Sequence, residues 1–147
     1  MRKRGFTLVE IMIVVAIIAL LAAIAIPSLL RAANESSAQA ALKTIATAEI
    51  TYRSANNSYG DLGDLGTATP PYIDAVLGCG SEPCQKSGYN FATTNNAAET
   101  FCVTAVPSTA NVTGVRSFCI TEDGVVRVGA ADDTDHDACQ NLGATQP

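Results

Sequence analysis

A single carboxylate, Glu10, lies near the start of a long apolar segment at the amino terminus. An acidic side chain in such a stretch costs on the order of 3 kcal/mol near the bilayer centre and less near an interface. It is therefore a candidate functional group, and it should have a cationic partner. Residues 6–26 contain no Lys, Arg or His. The partner of Glu10 must come from a new chain terminus or from another molecule.

A second group of carboxylates lies near the C-terminus and has the residue types that bind a hard cation. Residues 132–137 contain four aspartates, and alternating carboxylates can offer several oxygens to Ca²⁺. The run lacks the glycine and the terminal glutamate of an EF-hand loop, so a solvated acidic tail is the competing interpretation. A calcium site at Asp133, Asp135 and Asp137 remains an alternative, and we expect no other cofactor.

Five cysteines predict disulfide bonds in an exported domain, and one cysteine must remain outside the pairs. Cys79 and Cys84 enclose a short segment and could close a local loop. Cys102 and Cys119 fall in two predicted strands, on the face opposite the phenylalanines, and we expect them to bridge those strands. Cys139 would then be free or intermolecular. This pairing is one of fifteen that five cysteines allow.

Enzymatic chemistry finds little support in the sequence. His136 is the only histidine and lies in the acidic segment. The sequence contains no Gly-x-Ser-x-Gly elbow, no Cys-x-x-Cys pair and no phosphate-binding glycine loop. A cysteine nucleophile needs a neighbouring cation, and no cysteine has an obvious one in sequence. We therefore expect a protein that is not an enzyme.

The segment that positions Glu10 has more than one interpretation. Basic residues at 2–4 precede an apolar core with a small-residue site at 23–25, as in a cleaved signal peptide. Phe6 to Ile26 is also 21 residues long, about 31 Å as a helix, which suffices for a signal anchor to cross a hydrocarbon core of roughly 30 Å. The basic residues would keep that end cytoplasmic. Neither interpretation explains Glu10.

The motif around Glu10 supplies a third interpretation. Gly5-Phe6-Thr7-Leu8-Val9-Glu10, followed by an apolar run to Ile26 and then Pro27, resembles the class III signal of type IV pilins and pseudopilins. The resemblance implies that a prepilin peptidase cuts between Gly5 and Phe6 and that the new Phe6 amine is N-methylated. It also implies that Glu10 pairs with the Phe6 ammonium of a neighbouring subunit, which would supply the missing cation.

Beyond Ile26 the helical pattern continues to about Asn56 and becomes amphipathic. The apolar face is predicted to consist of Ala38, Ala41, Leu42, Ile45, Ala48 and Tyr52. The residues expected on the opposite, solvated face are Glu35, Gln39, Lys43 and Arg53. Pro27 should kink or locally open the helix, and the resemblance implies that the helix can melt near Pro27 on assembly.

Strand patterns appear only beyond residue 88. Alternating apolar residues predict strands at 89–91, 101–105, 118–121 and 125–128, and Asp123-Gly124 predicts a two-residue hairpin turn. Residues 60–88 are rich in glycine and proline and predict a loop with one turn of helix at 72–77. The predicted fold class is therefore α+β. A long N-terminal α-helix packs on a small antiparallel β-sheet, the pilin-like roll that the resemblance also implies.

The resemblance, together with these elements, implies the following organisation of the chain. Residues 1–5 form a leader that is removed, residues 6–27 form a transmembrane and assembly helix, and residues 28–147 form a periplasmic or extracellular head that includes the amphipathic helix 28–56. The precursor is expected to span the inner membrane once and then to enter a filament on the cell surface.

The charge of the head argues against nucleic-acid binding. Residues 54–147 contain three basic and eleven acidic residues, a net charge of −8, and such a surface repels phosphate backbones. The expected partners are other copies of the chain in a helical homopolymer, a prepilin peptidase, inner-membrane assembly machinery, and membrane lipid before assembly.

Two kinds of filament subunit fit the resemblance. A type IV pilin forms a surface fibre, whereas a major pseudopilin of a type II secretion system forms a short periplasmic one. The secretion-type pseudopilin carries a Trp-Gly-x-Pro-Tyr segment after its helix. This chain has no Trp, and residues 58–62 read Ser-Tyr-Gly-Asp-Leu in that region. The sequence therefore favours a pilin and keeps the pseudopilin as the alternative.

Overall fold

A helix of 49 residues, α1 (Leu8–Asn56), is the longest element of the computed structural model. At 1.5 Å per residue it is about 74 Å long. The structure describes residues 5–94, 99–129 and 136–143, without the side chains of His136 and Asp137. Helix α1 begins two residues later than predicted, because Thr7 is its N-cap, and it ends at a left-handed Asn57. The helix continues through Pro27 without a break.

The two halves of α1 have different surroundings. From residue 8 to residue 30 the helix is exposed, apart from a half-buried Ala22, whereas its second half contributes buried side chains to the core. The buried residues of α1 are Glu35, Ala38, Ala41, Leu42, Ile45, Ala46, Ala48 and Glu49. The predicted apolar face is confirmed at its buried positions, and Tyr52 packs against the core as a partly buried residue. The prediction for Glu35 is wrong, since this side chain is buried rather than solvated.

Five antiparallel strands form one sheet whose spatial order follows the chain, which confirms the predicted α+β class. The strands are β1 (Cys84–Lys86), β2 (Tyr89–Thr94), β3 (Cys102–Pro107), β4 (Ser117–Thr121) and β5 (Arg127–Gly129). Strand β1 is absent from the sequence-based prediction. It is only three residues long, too short to show an alternating pattern.

The main core lies between α1 and one face of the sheet. Phe91, Phe101 and Phe118 are almost fully buried there, together with Leu42 and Ile45 of the helix. A smaller cluster on the opposite face contains Cys102, Cys119 and Cys139, with Leu142 packed against it. The second half of α1 is therefore fixed to the sheet by apolar burial, the main favourable contribution to folding.

Two short helices complete the described chain, and neither was predicted. Helix α2 (Leu62–Thr67) lies in the segment expected to be a loop, where Asp61 and Asp64 form a capping box at its start. Residues 72–77, which were expected to be helical, contain no helix. Helix α3 (His136–Gln140) follows the sheet. The capping pair satisfies free N–H groups of the first turn and so stabilises a helix only six residues long.

The predicted two-residue turn at Asp123-Gly124 is also wrong. Five residues, 122–126, connect β4 to β5. The Asp123 carboxylate accepts hydrogen bonds from the Thr121 hydroxyl, the Val125 N–H and the Arg127 guanidinium. Gly124 adopts a φ of 71°, which suits glycine. The side-chain bonds of Asp123 hold a wider loop than the dipeptide pattern indicates.

The disulfide bonds agree with the sequence-based pairing in one case and contradict it in the other. Cys79 and Cys84 are bonded, as expected. Cys119 is bonded to Cys139 of α3, so the predicted Cys102–Cys119 bond is wrong. The register explains this difference, because Cys102 lies opposite Thr121 and Cys119 lies opposite Thr104. Cys102 and Cys119 are thus diagonal neighbours rather than a directly opposed pair, and diagonal positions are farther apart.

Glu35 joins the helix to the segment just before β4 by an ion pair in which the carboxylate is buried and the Arg116 side chain is half-exposed. Its Oε2 accepts hydrogen bonds from Nε and Nη2 of Arg116 at 2.8 and 2.7 Å, and its Oε1 accepts from the Val115 N–H at 3.0 Å. Burial opposes ionisation, but the bonds from Val115 and Arg116 outweigh it and hold the pKa of Glu35 below its usual value. The charged form of Glu35 therefore stabilises the fold.

We expect Glu35→Gln to lower the free energy of unfolding at neutral pH by about 1–3 kcal/mol, the range for a hydrogen-bonded charged group. A carboxyl whose folded pKa is lowered contributes stability above its unfolded pKa and loses it as the pH falls through the folded pKa. The difference in the free energy of unfolding between the variant and the unsubstituted protein should therefore shrink as the pH falls below about 4.5. Denaturant titration of the full chain in detergent at several pH values measures both effects.

Lys86→Gln is the matched control, because the Lys86–Asp74 pair is considerably more exposed than the Glu35 carboxylate. Its cost should not exceed about 1 kcal/mol. Equal losses for the two variants at neutral pH would contradict a special contribution from Glu35.

Candidate functional site

Glu10 lies in the first turn of α1, where it closes a capping box with Thr7. The Thr7 N–H and hydroxyl donate to Oε2 of Glu10 at 2.8 and 2.9 Å, and the Glu10 N–H donates to Oγ1 of Thr7 at 3.2 Å. These bonds fix the carboxylate at the amino end of the helix, where the helix dipole favours a negative charge. The motif therefore starts the helix as well as placing the acid.

The capping box leaves part of the carboxylate available. Both hydrogen bonds from Thr7 go to Oε2 of Glu10, and the side chain is exposed. Within the described residues, Glu10 has no cationic partner. The geometry is that of a preformed acceptor which can take a charged donor from outside the chain.

The predicted processing residues lie just before the helix. Gly5 and Phe6 are exposed and precede the Thr7 N-cap, so the peptide bond between them is outside the helical hydrogen-bond ladder. The Phe6 side chain is 85% exposed. A peptidase can therefore reach this bond without unwinding α1.

The surface that follows Glu10 is apolar on every side. The large apolar side chains between Ile11 and Ile26 are 50–76% exposed. By length and composition this part of α1 is sufficient to cross a membrane, and the molecule covers none of it. An exposed apolar surface of this extent indicates a membrane or a protein partner.

Pro27 ends this apolar stretch, and local side-chain bonds surround it. The Ser28 hydroxyl donates to the Ala25 carbonyl at 2.8 Å, and Nε of Arg31 donates to the Pro27 carbonyl at 3.3 Å. Proline cannot donate the backbone bond of a regular helix turn. The helix is intact in the single chain, and its melting on assembly stays a prediction.

The candidate calcium ligands lie outside the part of the chain whose side chains are described. Asp133 and Asp135 fall in the undescribed segment 130–135, and the side chain of Asp137 is likewise undescribed. The calcium site therefore stays an expectation from the sequence.

Glu49 is a buried carboxylate that the sequence analysis missed. Its side chain is fully buried, Oε2 accepts from the Gly60 N–H at 3.1 Å, and Oε1 has no hydrogen-bond partner within the described chain. Burial and the nearby carboxylates of Asp61, Asp64 and Glu82 raise the pKa of Glu49 to about 7. The helical spacing contained the signal, since residue 49 is one turn beyond Ile45 on the apolar face.

The architecture is that of a membrane-anchored or filament-forming subunit. A small α+β head is built on the second half of a long helix. The first half, residues 8–30, projects from the head as an exposed apolar rod, and the Glu10 carboxylate lies near its tip. Such a chain anchors in a membrane or packs its rod against other copies, as pilins do.

Comparison with known families also identifies the chain as a pilin. Residues 1–26 match the model for the prokaryotic N-terminal methylation motif. Residues 28–122 match the model described as type IV minor pilin ComP, DNA uptake sequence receptor, and the chain belongs to this type IV pilin family. Pilins are structural proteins rather than enzymes.

Two curated pilins are similar over shorter segments. The type IV major pilin protein PilA of Myxococcus xanthus is 46% identical over 66 residues, which cover 43% of this chain and 30% of the relative. The type IV wide pilus major component PilA4 of Thermus thermophilus is 48% identical over 59 residues, which cover 38% of this chain and 45% of the relative. The match thus spans less than half the length of each relative.

We expect the burial of Glu49 to make stability depend on pH between about 4.5 and 7. A carboxyl with a raised folded pKa favours the folded state below its unfolded pKa, and this stabilisation is lost as the pH rises through the folded pKa. Glu49→Gln should unfold at higher denaturant concentration than the unsubstituted chain at pH 8. Between pH 4.5 and 7 the variant should lose this part of the pH dependence.

The experiment is a series of denaturant titrations of both full-length proteins in detergent. Glu35→Gln serves as a comparison, because the Glu35 carboxyl has a lowered pKa and makes the free energy of unfolding depend on pH with the opposite sign. An unchanged slope between pH 4.5 and 7 in Glu49→Gln would show that Glu49 is not the titrating group.

Proposed function

We propose that this protein is the structural subunit of a type IV pilus filament. A prepilin peptidase cuts the precursor between Gly5 and Phe6, the new Phe6 amine is methylated, and the mature chain polymerises through the apolar half of α1. The observation that carries the proposal is the bare apolar rod with Glu10 fixed near its tip. Exposure of this apolar surface to water is unfavourable, so the rod requires a lipid or protein partner.

Assembly gives the single chain partners for its apolar rod and for its Glu10 carboxylate. When the rods leave the lipid and pack side by side, they cover one another's apolar surfaces and keep them from water. The Phe6 ammonium created by cleavage in a neighbouring subunit supplies the cation that Glu10 lacks within the described chain. Because Thr7 already orients the carboxylate, the pairing sets the axial position of one subunit against the next.

The head forms the outer layer of the filament in this proposal. The sheet covers only the second half of α1, so the rods can approach one another in the centre while the heads remain outside. Before assembly the same rod holds the precursor in the inner membrane, where the peptidase and the assembly machinery act on it. Membership of the pilin family and the N-terminal methylation motif support these partners.

A surface pilus fits better than the periplasmic pseudopilus of a type II secretion system. Both curated relatives are described as pilus components. The region after α1 carries the capped helix α2 instead of a Trp-Gly-x-Pro-Tyr segment. The pseudopilin remains the alternative that the experiment below must separate.

Electron microscopy of material sheared from expressing cells, with mass spectrometry of the N-terminus, tests the proposal. Surface fibres whose subunit begins at methylated Phe6 are the expected result. Methylated Phe6 protein confined to the envelope, without fibres, would favour the pseudopilin. A mature N-terminus near Ile26 would contradict both, because it would mean that the apolar rod is discarded.

The family description raises DNA binding as a second candidate function. DNA affinity depends on cations that are available to phosphates. In the described head, Arg53, Lys86, Arg116 and Arg127 each form an ion pair with a carboxylate, whereas Arg31 and Lys43 form none. Two cations without a carboxylate partner are few for a DNA surface on a head that is strongly acidic.

We therefore expect the chain alone to leave duplex DNA unshifted in an electrophoretic mobility assay, even at low salt, where electrostatic binding is strongest. The paired arginines cannot neutralise phosphates without abandoning their carboxylates. A shift at low salt that weakens as salt is added would overturn this expectation and favour the receptor function.

A further inference from the structure

The loop between β3 and β4, residues 108–116, exposes two apolar side chains and contains no charged residue before Arg116. Val112 is 66% exposed and Val115 is 58% exposed. Residues 108–115 contain no charged side chain, in a head that is strongly acidic elsewhere. An uncharged loop with two valines presented to solvent is suited to an apolar or interfacial environment.

This loop is held firmly against α1 at one height. The Arg31 guanidinium donates to the Asn111 carbonyl at 3.3 Å, and the Asn34 amide donates to the Thr113 carbonyl at 2.9 Å. The Val115 N–H donates to the buried Glu35 carboxylate at 3.0 Å. These three contacts lie within about a turn and a half of helix, so the loop cannot slide along α1.

The Tyr89 side chain of β2 also supports the loop. The Tyr89 hydroxyl donates to the Arg116 carbonyl at 2.8 Å. The Tyr89 ring passes so close to Gly114 that an added Cβ would lie 2.1 Å from its hydroxyl oxygen. Only glycine allows this approach, which fixes the loop over the aromatic ring.

The height along α1 of the part of the loop bound to Arg31 corresponds to the lipid headgroup layer. The apolar segment Phe6–Ile26 is about 31 Å long and matches the hydrocarbon core. Arg31 lies five residues beyond Ile26, which is about 8 Å along the helix. Headgroup layers extend roughly 5–8 Å beyond the hydrocarbon core on each side. Arg31 and the Asn111 carbonyl bound to it therefore lie at headgroup depth when the rod is inserted. Glu35, which binds the Val115 N–H, is about 14 Å beyond Ile26, so Val112 lies at headgroup depth and Val115 lies farther from the bilayer.

The charges at this height suit a lipid surface. Glu35 is paired with Arg116, whereas the Arg31 guanidinium donates to the carbonyls of Pro27 and Asn111. An arginine at the end of a membrane span places its charge among lipid phosphates. Leu29 and Leu30, both exposed, lie between Arg31 and the apolar span.

We propose that the β3–β4 loop is a membrane-docking surface of the unassembled subunit. Val112 enters the interfacial layer of the outer leaflet, Arg31 binds lipid phosphates beside it, Val115 lies farther from the bilayer, and the head is held in one orientation. This inference rests on the membrane-inserted precursor proposed above. Its consequence is that subunits reach the assembly machinery with their heads already oriented.

The absence of Trp from the chain provides a clean test. Val112→Trp and Val115→Trp each place one fluorophore on the loop, at positions exposed enough to accept it. Ile50→Trp is the matched control, because Ile50 is 52% exposed on the same helix but lies about 36 Å beyond Ile26. The full-length proteins are reconstituted into phosphatidylethanolamine–phosphatidylglycerol vesicles. Some vesicles contain lipids brominated near the headgroup end of their chains.

Vesicle flotation is measured first and reports insertion of the rod independently of the loop. For proteins that float, we expect Val112→Trp to emit at shorter wavelength and to be quenched several times more strongly than Ile50→Trp, with Val115→Trp between the two. Circular dichroism identifies any variant that fails to fold, and the other loop variant then carries the test.

The remaining outcomes contradict the proposal in distinguishable ways. Proteins that float but show equal, weak quenching at all three positions would overturn the docking surface and leave the inserted precursor intact. A loop tryptophan that is unquenched in vesicles but blue-shifted in lipid-free filaments would assign the loop to a neighbouring subunit instead. Failure to float would overturn the inserted precursor and the docking surface together.

Discussion

The fold of the head leaves the first half of α1 uncovered, and the rest of the molecule depends on this constraint. The sheet is long enough to bury only the face from Glu35 to Glu49, so the apolar residues before Pro27 find no partner in the described chain. Lipid can cover them for a time, and other copies of the rod can cover them in a filament. The hydrophobic effect thus favours both the membrane state and assembly, but it does not choose the register.

Register requires a directional interaction, and Glu10 is suited to provide it. A charge pair in a low-dielectric environment is stronger than in water and is costly to leave unmade. A subunit that is misplaced by even one helical turn would bury the Glu10 carboxylate without its cation. The Thr7 capping box reduces the freedom of the carboxylate. In the proposed assembly, cleavage before Phe6 would create the cationic partner only at the mature end.

The sequence predicted the parts of this structure that local patterns control. The long helix, its apolar face and the α+β class follow from spacing. The wrong predictions concern tertiary contacts. Glu35 looks like a surface residue until Arg116 is brought to it from 81 positions away, and Cys119 bonds to Cys139 because the strand register displaces Cys102. For the site, the sequence identified Glu10 but not its capping bonds, and it missed Glu49, whose buried carboxylate accepts a hydrogen bond from the Gly60 N–H eleven positions away.

The most direct measurement of the central claim compares filaments from Glu10→Gln with those from Glu10→Asp. Glutamine keeps the size and the capping acceptor but loses the charge, whereas aspartate keeps the charge on a shorter side chain. Sheared filament is measured relative to processed subunit in the membrane. We expect normal processing for both variants, nearly complete loss of filaments for Glu10→Gln, and partial assembly for Glu10→Asp. Filaments of Glu10→Gln at the unsubstituted level would contradict the role of the charge pair in setting register.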